Sequence, residues 1–186
     1  GRRMYLGAIT QFLMSKFADH VVLQSPGLIQ RLAESIHISQ DKVRVITNSV
    51  NTDFWTPGVS EYTRQENNFR LLYVGGLDNS HGLMSTLRVM KGIHDLGHKI
   101  TLNLVIKAGI GELNTIIKYI EKLGLFPFVV IEQNLSRNQM KERYNSADAL
   151  VYQTINDGSP RVVLEAMSCG LPIVASNHPG IDILDP

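Results

Sequence analysis

Residues 157–176, DGSPRVVLEAMSCGLPIVAS, constrain this chain more than any other stretch. Gly158 and Ser159 make a tight polar turn. Pro160 suits the first position of a helix, where its missing N–H costs nothing. Val162, Val163, Leu164, Ala166 and Met167 make that helix mostly buried. Gly170 ends it, and Leu171-Pro172-Ile173-Val174-Ala175 reads as a short core strand. Asp157 thus stands just before a helix N-terminus, and Glu165 follows eight residues later, about two turns in. Free N–H groups and the positive dipole end make such an N-terminus a ready phosphate site. A carboxylate such as Glu165 can accept two hydroxyl hydrogen bonds from a sugar or ribose. Phosphate together with hydroxyls is the chemistry of a nucleotide sugar.

From Phe69 onward, strands and helices alternate. Strands are predicted at 69–74, 100–106, 128–131, 149–153 and 172–175, and helices near 82–96, 112–123, 137–146 and 160–168. Ser136 and Gln139 have the spacing of a capping box, and Gly97 and Gly124 stand where helix C-caps belong. The alternation predicts an α/β fold: a Rossmann-like parallel sheet with helices on both faces. Ligands of such sheets bind beyond the carboxyl ends of the strands. That rule selects the loops 75–82, 107–112, 132–136 and 154–161.

The first part of the chain reads differently. Tyr5, Ile9, Phe12, Leu13 and Phe17 recur at helical spacing. They suit packing against another domain, or alternatively a helix on a membrane surface with Arg2, Arg3 and Lys16 toward lipid headgroups. Val21–Leu23 is a short strand. Ser25-Pro26 then opens a helix with Leu28, Ile29, Leu32, Ala33 and Ile36 on one face, and Val43–Ile46 is a second strand. Phe54 and Trp55 read as anchors of a linker, and residues 57–68 as a polar loop. Residues 1–56 are therefore expected to be the end of one domain plus a linker, and 57–186 a second domain. The chain opens GRRMYLG in mid-pattern, so it is expected to be part of a longer protein.

Composition excludes several classes. The chain is 44% apolar and 19% charged, as soluble globular domains are. A net charge of +1 gives no electrostatic case for nucleic acid. The single cysteine, Cys169, rules out an internal disulfide framework, fits a cytoplasmic, reducing compartment and reads as core. No apolar run approaches the length of a membrane span. The six histidines are scattered and make no metal-ligand cluster. No strand is followed by G-x-G-x-x-G with an acidic residue about twenty positions on, which disfavours a dinucleotide-dependent oxidoreductase.

The stretch 157–176 resembles the donor-site signature of retaining family 4 (group 1) glycosyltransferases of the GT-B fold: an acidic residue, Gly, a short variable run, then LEAM-x-x-G-x-P-(I/V)-V-A. The resemblance implies a sugar transferase that retains anomeric configuration. Its donor would be a UDP-, GDP- or ADP-sugar, and its acceptor a glycan, a lipid or a small molecule. It would need no metal or other cofactor, and peripheral membrane contact would be compatible with it. It covers the end of the first GT-B domain and most of the second, so the chain alone is expected to be inactive.

The resemblance also assigns roles. Glu165 would hold the ribose hydroxyls. Asp157, the catalytic candidate, and the amides of Gly158, Ser159, Arg161 and Val162 would hold the sugar and phosphates. The loop GGLDNSHG contributes Gly75 and Gly76, whose lack of a side chain permits close approach to phosphate. The family has Arg where this chain has Gly76, and Lys where it has His81. Losing these fixed cations weakens stabilisation of the leaving diphosphate. His81, Lys107 and Arg161 are the candidate replacements, although Arg161 equally suits a salt bridge to Asp157 and His81 a surface position. KAGIGE resembles the family's V-x-G-x-G turn and adds Gly109 and Gly111; Asn48-Ser49-Val50-Asn51 matches its N-G-V-D loosely. The departures at 76 and 81 favour, as the alternative, a non-catalytic relative that binds a nucleotide sugar or acts as a scaffold.

Overall fold

A computed structural model of the chain describes residues 13, 16–29, 39–59, 68–77, 82–106, 109–154, 157–178, 180 and 181. Tyr5, Ile9, Phe12, Leu32, Ala33, Ile36, His81 and Lys107 lie outside the described residues. Two compact units are present: Gly1–Asn48 with Asn156–Pro160 and Asn177–Pro186, and Ser49–Ile155 with Arg161–Ser176.

In the first unit, β1 (Val21–Leu23) pairs in parallel with β2 (Val43–Val45), Val21 opposite Val43. A single turn of 3-10 helix, Gln40–Lys42, leads into β2. Phe17 is 79% exposed, and Leu13, Val22 and Ile46 are also exposed. The same unit holds the turn at 157–159. There the Ser159 N–H donates to Asp157 Oδ1 at 3.2 Å, and Asn48 Nδ2 donates to the Ser159 carbonyl at 2.6 Å.

The second unit is a five-stranded parallel sheet. Its elements, in chain order, are β3 (Phe69–Gly75), α1 (Leu83–Asp95), β4 (Ile100–Ile106), α2 (Ile110–Lys122), β5 (Val129–Gln133), α3 (Arg137–Ser146), β6 (Ala149–Tyr152), α4 (Arg161–Ser168) and β7 (Ile173–Ala175). The strand order is β5-β4-β3-β6-β7. Right-handed crossovers in that order put α1 and α2 on one face and α3 and α4 on the other. The direction of winding reverses between β3 and β6, and a crevice opens beyond the strand ends at such a reversal.

Side-chain patterning explains the layers. Leu83, Leu87 and Met90 of α1 and Ile116 and Ile120 of α2 fall at helical spacing and pack on Tyr73, Ile100, Leu102, Leu104 and Ile106 of the sheet. Each fully buried leucine there contributes roughly 1.5–3 kcal/mol. The strands are apolar almost throughout because both faces are covered.

Three helices end alike. After α1, α2 and α4 the chain turns at Gly97, Gly124 and Gly170, each with positive φ. In each case the glycine N–H and the next N–H bond back to the last helical carbonyls; after α2, Gly124 N donates to Glu121 O at 2.9 Å and Leu125 N to Ile120 O at 3.0 Å. These are Schellman closures, and the residues that follow, Leu125 and Leu171, are buried. The Ser136–Gln139 capping box forms as the spacing predicts.

Most boundaries fall within one residue of the sequence reading, and two differ by two. The helix predicted from 112 begins at Ile110, because Glu112 reaches back to accept the Gly109 N–H at 3.2 Å and so caps an earlier start. The strand predicted to end at 131 continues to Gln133, because Glu132 and Gln133 still find partners in Val105 and Ile106 of β4. Asn134 then turns the chain with φ of 55°. Among the described residues no helix is long and apolar enough to cross a membrane.

Candidate functional site

Glu165 lies midway along α4 on the wall of a cavity of about 610 Å³. The lining comes from three stretches of the second unit. Residues 49–55 supply Ser49, Val50, Asn51 and Trp55; the start of α3 supplies Leu135, Arg137 and Met140; α4 supplies Arg161, Val162 and Glu165.

Residues 49–58 are tied down along α3 and α4. Asn51 makes a turn, its side-chain oxygen accepting from the N–H groups of Asp53 at 3.0 Å and Phe54 at 3.2 Å. Trp55 is 4% exposed, and its carbonyl accepts from Ser168 Oγ at 2.5 Å. Lys141 Nζ donates to Thr56 Oγ1 at 2.8 Å, and the Gly58 N–H to Asn145 Oδ1 at 2.8 Å. The Arg137 guanidinium rests over the Phe54 ring, 4.5 Å from its centroid. That contact holds a cation on the cavity wall.

The Glu165 carboxylate is half-buried and accepts a hydrogen bond from the Tyr144 hydroxyl at 3.0 Å. Burial raises its pKa above the ordinary value, while the Tyr144 hydrogen bond and the charges of Arg161 and Arg137 pull the other way. The Tyr144 phenol is itself pushed up, by burial and by the neighbouring carboxylate, so it remains a donor. An acceptor pair on Glu165 flanked by two guanidinium groups suits a ligand that carries both hydroxyls and negative charge.

Of the residues singled out in the sequence, Arg161, Val162 and Glu165 meet at this cavity. Gly75 ends β3, and the Gly76 carbonyl accepts from the Tyr73 hydroxyl at 2.8 Å. Gly109 precedes α2 and Gly111 lies in its first turn. These four glycines are not among the lining residues. Asp157, Gly158 and Ser159 belong to the first compact unit. Gly158 is close-packed there: a Cβ would stand 2.9 Å from Gln24 Oε1 and 3.2 Å from Leu28 Cδ1. Ser159 is buried, with its hydroxyl oxygen accepting from the Asn48 N–H at 3.3 Å. Gly82, just before α1, is closely surrounded. A Cβ on it would stand 2.5 Å from Gln153 Cβ and 2.8 Å from the Gln153 carbonyl.

Arg137, Met140 and Tyr144 were not read from the sequence as site residues. A signal for them existed. The Ser136 cap places Arg137 in the first turn of a helix, and positions 137, 140 and 144 then share one face.

The model for the family described as glycosyl transferases group 1 matches residues 59–183, most of the chain. The chain belongs to this family. It is 27% identical to an uncharacterized glycosyltransferase of Methanocaldococcus jannaschii, over 92% of this chain and 45% of that protein. It is also 27% identical to the D-inositol 3-phosphate glycosyltransferase of Corynebacterium jeikeium, over 89% of this chain and 43% of that protein. This group 1 chain thus spans somewhat under half the length of these curated relatives. Among solved structures it is similar to sucrose-phosphate synthase from Thermosynechococcus elongatus, with a TM-score of 0.84 at 20% identity, over 95% of this chain and 45% of that one. It is also similar to Anabaena HepE, solved in complex with UDP and glucose, with a TM-score of 0.79 at 19% identity, over 95% and 50% of the two chains. The fold is accordingly the parallel α/β arrangement of GT-B glycosyltransferases.

Proposed function

We propose that this chain is the donor-binding part of a retaining glycosyltransferase that moves a sugar from a nucleotide-sugar donor to an acceptor hydroxyl. The observation that carries the reading is Glu165, a half-buried carboxylate on the wall of a cavity of about 610 Å³ with Arg137 and Arg161 beside it. Glu165 holds the ribose hydroxyls, and the cations meet the negative charge of the nucleotide. Asp157 and the amides that follow it act on the sugar and phosphates, an assignment taken from the family pattern. In the transfer, the bond from the anomeric carbon to the diphosphate oxygen breaks. The acceptor oxygen bonds to that carbon on the same face, and its proton leaves with the diphosphate. No protein nucleophile and no metal takes part, and the reaction is placed in the cytoplasm, with peripheral membrane contact compatible.

Two features support the donor class. The family is one of sugar transferases, and the similar HepE was solved with UDP and glucose. A second reading, a nucleotide-sugar-binding relative without catalysis, is favoured by Gly76 and His81, which stand where the family has Arg and Lys.

Calorimetric titration of the full-length protein with UDP, GDP and ADP tests the proposal. Glu165→Ala is expected to cost roughly 1.5–3 kcal/mol, about 10- to 100-fold in affinity, for the nucleotide that binds. Unchanged affinity in a folded variant removes Glu165 from the site. Nucleotide binding without turnover over a panel of sugars and acceptors selects the second reading.

A further inference from the structure

We propose that Tyr144 is a positioning residue for Glu165: its buried hydroxyl holds one carboxylate oxygen and leaves the other for the hydroxyls of the bound nucleotide. The inference rests on the reading of Glu165 as the hydroxyl-binding carboxylate.

The geometry is specific. Tyr144 is 1% exposed, and its hydroxyl donates to Glu165 Oε2 at 3.0 Å. Its ring is held edge-on against Trp55, with centroids 5.5 Å apart and planes at 73°. Trp55 is in turn fixed by the Ser168 hydrogen bond to its carbonyl and by Phe54, edge-on at 4.8 Å. The donor therefore belongs to a packed aromatic unit whose side chains have little freedom to turn. Glu165 is the opposite case. The last torsion of a glutamate is broad, and the carboxylate stands at the cavity, where several orientations compete. A fixed donor on one oxygen selects one of them before the ligand arrives, and preorganisation of that kind raises affinity without a new contact to the ligand. Packing alone does not require the hydroxyl, because phenylalanine would fill the same volume.

Among the described residues, few charged and titratable groups act on this pair. From α3 come Tyr144 itself and Arg137; from α4 and its end come Arg161 and Cys169. Of these, the Tyr144 hydroxyl makes the largest contribution keeping the carboxylate ionised against its burial. Removing that hydroxyl raises the Glu165 pKa further.

The test compares UDP and GDP with their 2′,3′-dideoxy forms in the full-length protein, by calorimetry, as a function of pH. Wild type is expected to prefer the ribose form, and Glu165→Gln to lose most of that preference. Tyr144→Phe, which deletes one oxygen from the core, is expected to lower affinity for the ribose form about 3- to 10-fold, with little effect on the dideoxy form. Its affinity should also fall away at a higher pH on acidification than wild type. The double variant should match Glu165→Gln alone, because Tyr144 acts through that carboxylate.

A Tyr144→Phe protein that keeps both the ribose preference and the wild-type pH profile overturns the proposal, while loss of preference in Glu165→Gln leaves the underlying reading intact. Equal weakening of ribose and dideoxy forms in Tyr144→Phe also overturns it, because that is the mark of a structural role. If Glu165→Gln keeps the ribose preference, or wild type binds none of the nucleotides, the reading of Glu165 fails and the proposal falls with it.

Discussion

Alanine at position 82 is expected to damage this fold more than alanine at any other glycine of the α1 region, for two separable reasons. Gly82 has φ of +66°, in the left-handed region, where an L side chain costs about 1–2 kcal/mol. A Cβ there would also stand 2.5 Å from Gln153 Cβ and 2.8 Å from the Gln153 carbonyl oxygen. Neither atom is the far end of a flexible side chain. The loop before α1 or the end of β6 must therefore shift, and overpacking of this kind costs roughly 1–3 kcal/mol. Together the two effects give roughly 2–5 kcal/mol, or roughly 5–20 °C in melting temperature at this chain length. Two controls separate them. Gly97 has φ of +85° with nothing within 4 Å of its Cβ position, so Gly97→Ala should show the backbone cost alone, about 1–2 kcal/mol. Gly92 lies inside α1 with nothing within 4 Å and no positive φ, so Gly92→Ala should stabilise by about 0.5–1 kcal/mol. The assay is urea unfolding of the three variants followed by circular dichroism. If Gly82→Ala costs no more than Gly97→Ala, the close approach of this loop to Gln153 is not a constraint. The case for a glycine-requiring loop at the sheet's reversal point then collapses.

Arg143 and Glu132 face each other with contacts of 2.6 and 2.7 Å and side chains only 15% and 18% exposed, so Arg143→Ala strands a largely buried carboxylate. It should cost about 3 kcal/mol by urea melt, and less than 1 kcal/mol would mean that water already solvates the pair. Glu165 gives a pH dependence of stability. Its folded pKa is raised by burial, so between its unfolded value, about 4.5, and the higher folded value the folded state holds the extra proton. Its contribution to stability is full below the unfolded value and is lost as pH rises through the folded one. Glu165→Gln should therefore gain stability relative to wild type between pH 4 and pH 7, and a constant difference across that range would show that the carboxylate is not penalised in the fold.

Much of the architecture was legible because it follows from local rules. Helix ends were marked by residues that supply the needed geometry, as at Gly97, Gly124 and Gly170, or the needed hydrogen bond, as at Ser136. The sheet was marked by apolar runs of strand length between amphipathic helices. The exceptions were settled between elements. Glu132 and Gln133 are polar and read as loop, yet they are strand because β4 offers them partners. Gly111 read as part of a turn, yet it is helical because Glu112 folds back on Gly109.

The candidate site divides in the same way. Glu165 was identified from its place two turns into a helix that an acidic, glycine-containing turn precedes, a pattern contained in one short stretch of chain. That pattern has nothing to say about residues distant in sequence. Arg137 and Tyr144 meet Glu165 because α3 and α4 lie side by side on one face of the sheet, and Trp55 meets Tyr144 because residues 49–58 run along both helices. The sequence by itself determined the elements, the parallel character of the sheet and Glu165 as a candidate, because propensity, capping and periodicity act over a few residues. Only the tertiary structure decided which cations stand beside that carboxylate and which hydroxyl holds it, because those contacts are made by segments far apart in sequence that pack side by side on one face of the sheet.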